Sequence, residues 1–208
     1  MTTKKKLQTF FDARHDDAKY IQTYEENLEF FGELLRTGRS EELDFVLPIK
    51  LLKYADPLNQ TGQYSKALKV LHEVEQDLSK LKGRSKWYEQ YEESLMFLKG
   101  VCLSRLKRYK QSNQQFGELL SRSRVNENYL NWYRSNRKAL IDRYSWPILI
   151  GGVAAYLVLQ GMEWLDFGPR LPLVNASVLA IGLLALVIPA ILKFFIDRSS
   201  PPTLASRE

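Results

Sequence analysis

A chain of 208 residues, 45% of them hydrophobic and only one a cysteine, can hold one ordinary domain plus a small addition, and it excludes a fold stapled by internal disulfides. The formal charge of +6 is unevenly spread: residues 1–98 carry 15 basic and 17 acidic side chains, residues 99–143 carry 11 and 3, and residues 144–208 carry 4 of each. With 2 histidines and no glycine-rich phosphate loop, the composition argues against a metal site, a cofactor and an enzyme.

Residues 1–15 contain Lys4, Lys5 and Lys6 but no apolar run of the secretory kind, and are expected to be a flexible N-terminus. From Asp16 to Asp142 apolar residues recur at three and four, and no stretch alternates as a surface strand does, so an all-α domain is expected over 16–143. Leu28, Phe31, Leu34 and Leu35 form a first stripe that ends at Thr37-Gly38. Ser40, followed by Glu41 and Glu42, opens the next helix, which Pro48 should kink and Pro57 should kink or end. Further helices are expected at 63–82, 85–107 and 109–123, and a last one from Asn126 runs on into an apolar tract. Glu25-Glu26, Glu41-Glu42 and Glu92-Glu93 read as solvated faces and helix starts. Trp87, Tyr88, Tyr91, Tyr129, Trp132 and Tyr133 read as capping contacts at the ends of a helical stack, with a partner-binding patch as the alternative.

Shifting the chain by 45 residues brings Ala55 onto Gly100, Leu58 onto Leu103, Tyr64 onto Tyr109, Ala67 onto Ser112 and Leu71 onto Phe116. Small residues at 55 and 100 let two helices approach, aromatics at 64 and 109 plug the turn, and 71 and 116 fill the next interface. On these positions the stretch Lys50–Ser123 resembles the tetratricopeptide repeat, a helix-turn-helix unit stacked side by side. The resemblance implies a groove, lined by the first helix of each unit, that binds a protein segment. In this chain it would be lined by Leu52, Asp56, Asn59, Phe97, Val101, Ser104 and Arg105. Leu52 and Asp56 stand where a carboxylate clamp would place cationic or amide side chains, so a peptide with a free C-terminus is not the expected ligand.

Arg134, Arg137, Lys138 and Arg143 form a basic belt before the apolar tract. Anionic lipid is its expected contact, and no nucleic-acid motif accompanies the charge. Trp146–Met162 holds no charged residue, which marks residues 144–165 as a first membrane span; 166–170 would be a short outside loop, 171–196 a second span and 197–208 a flexible tail. A buried hairpin in a soluble core is the competing reading. The flanking positive charge puts both termini in the cytoplasm, at a bacterial inner membrane or an organelle membrane facing the cytosol. The sequence thus points to an anchored adaptor for an unidentified protein partner. The alternative is a small subunit of a membrane complex, in transport or assembly, whose apolar hairpin makes the working contacts, alone or as a homo-oligomer.

Overall fold

The computed structural model describes residue 10 and residues 16–37, 40–122 and 126–164, and among these every regular element is helical. The chain divides into two compact units, residues 1–129 and 130–208.

In the first unit, α1 (Asp17–Glu25) starts where Oδ1 of Asp16 accepts the N–H of Lys19 at 2.8 Å, satisfying one donor of the first turn. After a two-residue turn the chain continues as α2 (Leu28–Thr37). The ring of Tyr24 stacks on Phe31 at 4.6 Å and on Tyr54 at 4.1 Å, which ties this segment to the next one. Phe10 stands edge-on to Phe31 at 5.1 Å; the rest of the expected flexible N-terminus, 1–15, lies outside the described residues.

The next segment comprises α3 (Ser40–Lys50), a π-helical turn (Leu51–Ala55) and α4 (Asp56–Gln60). Pro48 lies inside α3, and the chain stays helical across Pro57 as well, so Pro57 does not end the segment. A proline gives no N–H and its ring crowds the carbonyl one turn back. The wide turn just before Pro57, where Asp56 N–H donates to Leu51 O, loosens the backbone at that carbonyl.

This segment packs along α5 (Tyr64–Ser79); α6 (Tyr88–Arg105) packs along α7 (Tyr109–Arg122); and α5 joins the two pairs by packing on α6. The turns inside the two pairs match bond for bond at an offset of 45. In the first, Gly62 N–H donates to Asn59 O at 3.1 Å and Gln63 N–H to Leu58 O at 2.8 Å; in the second, Lys107 donates to Ser104 at 2.9 Å and Arg108 to Leu103 at 2.8 Å. Both are the paired C-terminal bonds that close a helix through a left-handed residue. Gly62 has φ 81° and Lys107 φ 60°.

Leu43, Val46, Leu47, Leu51, Ala55, Leu58, Ala67, Leu71, Val74, Leu98 and Cys102 form one buried core across these helices. Two lysines enter its margin and each meets carboxylates: Lys50 lies 3.0 Å from Glu73, and Lys99 lies 2.8 Å from Glu75. The long aliphatic stems occupy apolar space while the ammonium groups reach the edge.

The last described element is α8 (Glu127–Trp164), a helix that continues through Pro147. Just before that proline, Ser145 Oγ donates to Ile141 O at 2.7 Å. Within α8 Trp146, Ile150, Val153, Tyr156, Leu157 and Val158 are all exposed. Among the described residues no helix is long and apolar enough to cross a membrane. The uncharged run 146–162 rises only about 25 Å at 1.5 Å per residue, against a hydrocarbon core of about 30 Å. Of the expected first span, 144–165, residues 144–164 are described, and all are helical. The expected loop 166–170, second span 171–196 and tail 197–208 lie outside the described residues.

Candidate protein-binding site

The seven residues assigned to a groove by the repeat register fall into two groups. Leu52 is 41% exposed and Arg105 is exposed, while Asp56, Phe97 and Ser104 are half-buried. Asn59 and Val101 are buried, at 7% and 6%, and are closed to a ligand. Asn59 is enclosed because α4 meets α6: its Oδ1 lies 3.7 Å from Cys102 Sγ, which donates to it. Burial pushes the Cys102 thiol up to about 12, with a smaller contribution from the Asp56 charge, so the sulfur stays protonated and acts as packing.

Asp56 is the chemically distinctive member of the accessible group. Burial raises its carboxyl above the usual range, partly offset by Gln60, whose Nε2 donates to Oδ1 at 3.2 Å; the nearby Asp17 charge acts in the same direction as burial. Phe97 fills space between two other rings, 6.1 Å from Phe116 and 5.6 Å from Tyr129, so only its outer edge is available. The surviving surface is a small mixed patch: an aliphatic side chain, a ring edge, a hydroxyl, a carboxyl and a guanidinium.

One concave site was not indicated by the sequence. A cleft of about 770 Å³ lies between the turn at Lys82-Gly83, the first two turns of α6 and the end of α7. Tyr88 and Leu119 supply its apolar wall; Glu89, Glu92, Glu93, Lys82 and Arg122 supply its charge. Gly83, at φ 73°, takes a left-handed conformation in the turn. Arg122 is held by Glu92 and, at 2.7 Å, by Glu118. Tyr88 donates its hydroxyl to Glu92 at 3.1 Å, and Tyr129 donates to Glu93 at 2.6 Å. Glu92 and Glu93 are thus fixed acceptors rather than the solvated face expected of them. Tyr129 is correspondingly pushed up to about 12, first by burial and then by this bond. The adjacent aromatics Trp87 and Tyr88 were the available sequence signal; the Arg122 contact, thirty residues away, was not.

The belt residues lie on α8 in the second unit. Lys138 and Arg143 are exposed and Arg134 and Arg137 half-buried, with the Arg137 guanidinium 5.8 Å from the Tyr133 ring. No protein-family model, curated protein or solved structure matches the chain.

Proposed function

We propose that this chain is a membrane-attached adaptor whose helical hairpins bind a segment of a partner protein, with no catalysis of its own. The observation that carries the reading is the 45-residue repetition, in which two hairpins share their turn bonding and their pattern of small residues at the helix contact. In a tetratricopeptide-like stack the first helices of successive hairpins line a groove, and Leu52, Asp56, Phe97, Ser104 and Arg105 lie accessible on those helices. Attachment is supported by α8, where Tyr156, Leu157 and Val158 are 41%, 62% and 62% exposed. Three successive helical residues sweep about 200° of the circumference, so apolar side chains are exposed over a wider arc than the single apolar stripe of a surface helix. The uncharged block 171–192 would serve as the second anchor, and the preceding basic residues orient both termini to the cytoplasm.

The test is crosslinking capture from detergent-solubilised membranes with the full chain and with a Leu52→Asp/Arg105→Glu variant, both first shown to melt alike. Loss of the captured partner from the variant is the expected result. An unchanged set of partners would overturn the groove.

The same exposed face favours a second reading, in which the apolar tract contacts other subunits of a membrane complex. Exchanging residues 144–208 for an unrelated anchor separates the two: an adaptor keeps its partner, and a hairpin subunit loses it.

A further inference from the structure

We infer that Arg143, with Lys138 and Arg137 at its edge, forms a headgroup site that selects anionic lipid, a proposal that rests on the membrane attachment above. Charge balance within the helix is the first argument. In the first unit Lys50, Lys66, Lys99 and Arg122 each sit against a carboxylate. Among the described residues Arg134, Lys138 and Arg143 have no such partner, although Asp142 stands four residues from Lys138 and next to Arg143. The Nε of Arg134 is buried and makes no hydrogen bond. Among the described residues Lys107, Arg108 and Lys110 of the first unit also lack a carboxylate partner, so what sets the α8 cations apart is their clustering on one helix just before an apolar tract.

Position is the second argument. Arg134, Arg137 and Lys138 are spaced three and four apart and share one face of α8, and the next residues on the same helix are the exposed apolar ones that begin at Trp146. With Trp146 at the bilayer interface, a rise of 1.5 Å per residue puts Arg143 about 4.5 Å, Lys138 about 12 Å and Arg134 about 18 Å from it along the axis. Screening at physiological salt reaches about 8 Å, which a long side chain extends by several ångströms. Arg143 therefore lies at headgroup depth, Lys138 and Arg137 at its limit, and Arg134 beyond it. The attraction is graded, strongest nearest the apolar tract. Arg137, with its guanidinium 5.8 Å from the centre of the Tyr133 ring, adds a cation–π pair.

The experiment is flotation of the full chain, synthesised without cells in the presence of vesicles of phosphatidylcholine alone or with about a third phosphatidylglycerol, at low and high salt. Expected is a preference for the anionic vesicles that fades at high salt and falls about five-fold with Arg143→Gln. Lys138→Gln should reduce it less, and Arg134→Gln least. Association with the phosphatidylcholine vesicles should be the same for every variant, which controls for folding and insertion. Equal association with both vesicle types, or a preference unmoved by the combined substitution of all four residues, would overturn the headgroup site and leave the attachment standing. Association with neither vesicle would overturn both.

Discussion

The ring of Phe116 occupies the space where a side chain at Gly100 would begin: a Cβ built at Gly100 lies 2.8 Å from Cζ of Phe116 and 3.0 Å from Cε2. At the equivalent place in the first hairpin, 45 residues earlier, the pair is Ala55 and Leu71, both fully buried. The two hairpins thus meet one packing constraint in two ways, a larger small residue with a smaller large one and the reverse. Gly100→Ala should destabilise the fold by about 1–3 kcal/mol, because a buried ring must shift off its position. Phe116→Leu alone should also destabilise, by leaving a void. The double variant copies the first hairpin and should recover part of both losses. A cycle of denaturation midpoints on the four proteins measures the coupling, and strictly additive losses would show that the ring and the glycine do not compete for the same space.

Lys107 and Gly62 close equivalent turns, and only one of them is a glycine. At φ 60° a lysine carries a Cβ that crowds its own carbonyl, a cost of about 1 kcal/mol that glycine avoids. Lys107→Gly should therefore stabilise the second hairpin, by up to about 1 kcal/mol after the added freedom of the unfolded chain is counted. Gly62→Lys should do the opposite at the first. Melting temperatures of the two single variants, moving in opposite directions, check this.

The residues whose roles were legible in the sequence are those whose work is local or repeated. The small residues at the hairpin contact and the buried Phe31 and Leu34 follow from spacing alone, because a helix imposes its own period, whereas Leu28, placed on the same stripe, is exposed. Asn59 and Val101 were misread as open because the register places a residue on a face without saying what covers that face. Glu92 shows the same limit: with Glu93 it reads as an acidic pair on a solvated face, and its actual partner, Arg122, arrives from the next helix. Pro57 illustrates a different gap. A proline in a helix is expected to bend or end it, and whether the segment can continue through a widened turn depends on what it packs against.

The Lys99–Glu75 pair makes a prediction about which half matters. Lys99 is 7% exposed, whereas the Glu75 side chain is half exposed. Removing the carboxylate with Glu75→Gln leaves a nearly buried ammonium without its counter-charge and should cost about 1–2 kcal/mol, less than a fully buried pair because water reaches this edge. Lys99→Met removes the charge with its need for a partner and keeps the stem's volume, so it should be neutral or stabilising. Denaturant unfolding of the two variants decides the point. Equal destabilisation by both would mean that the ion pair itself holds α6 to α5.

Tyr129 gives the fold an alkaline edge whose sign can be worked out. Its hydroxyl is held protonated in the folded chain, up to about 12, by burial and by donation to Glu93, while an unfolded tyrosine ionises near 10. Above pH 10 the unfolded chain releases this proton before the folded one does, so unfolding becomes progressively easier between about pH 10 and 12. Below pH 10 both states keep the proton and the contribution is constant. Tyr24, Tyr54, Tyr88 and Tyr91 are also raised by burial, so the decline is shared among several rings. Tyr129→Phe should be less stable than the parent at neutral pH, having lost the bond to Glu93, and should lose less stability on going to high pH. The gap between the two melting curves is therefore expected to narrow as pH rises through this window. A constant gap from pH 7 to 12 would mean that Tyr129 ionises no later in the folded chain than in the unfolded one.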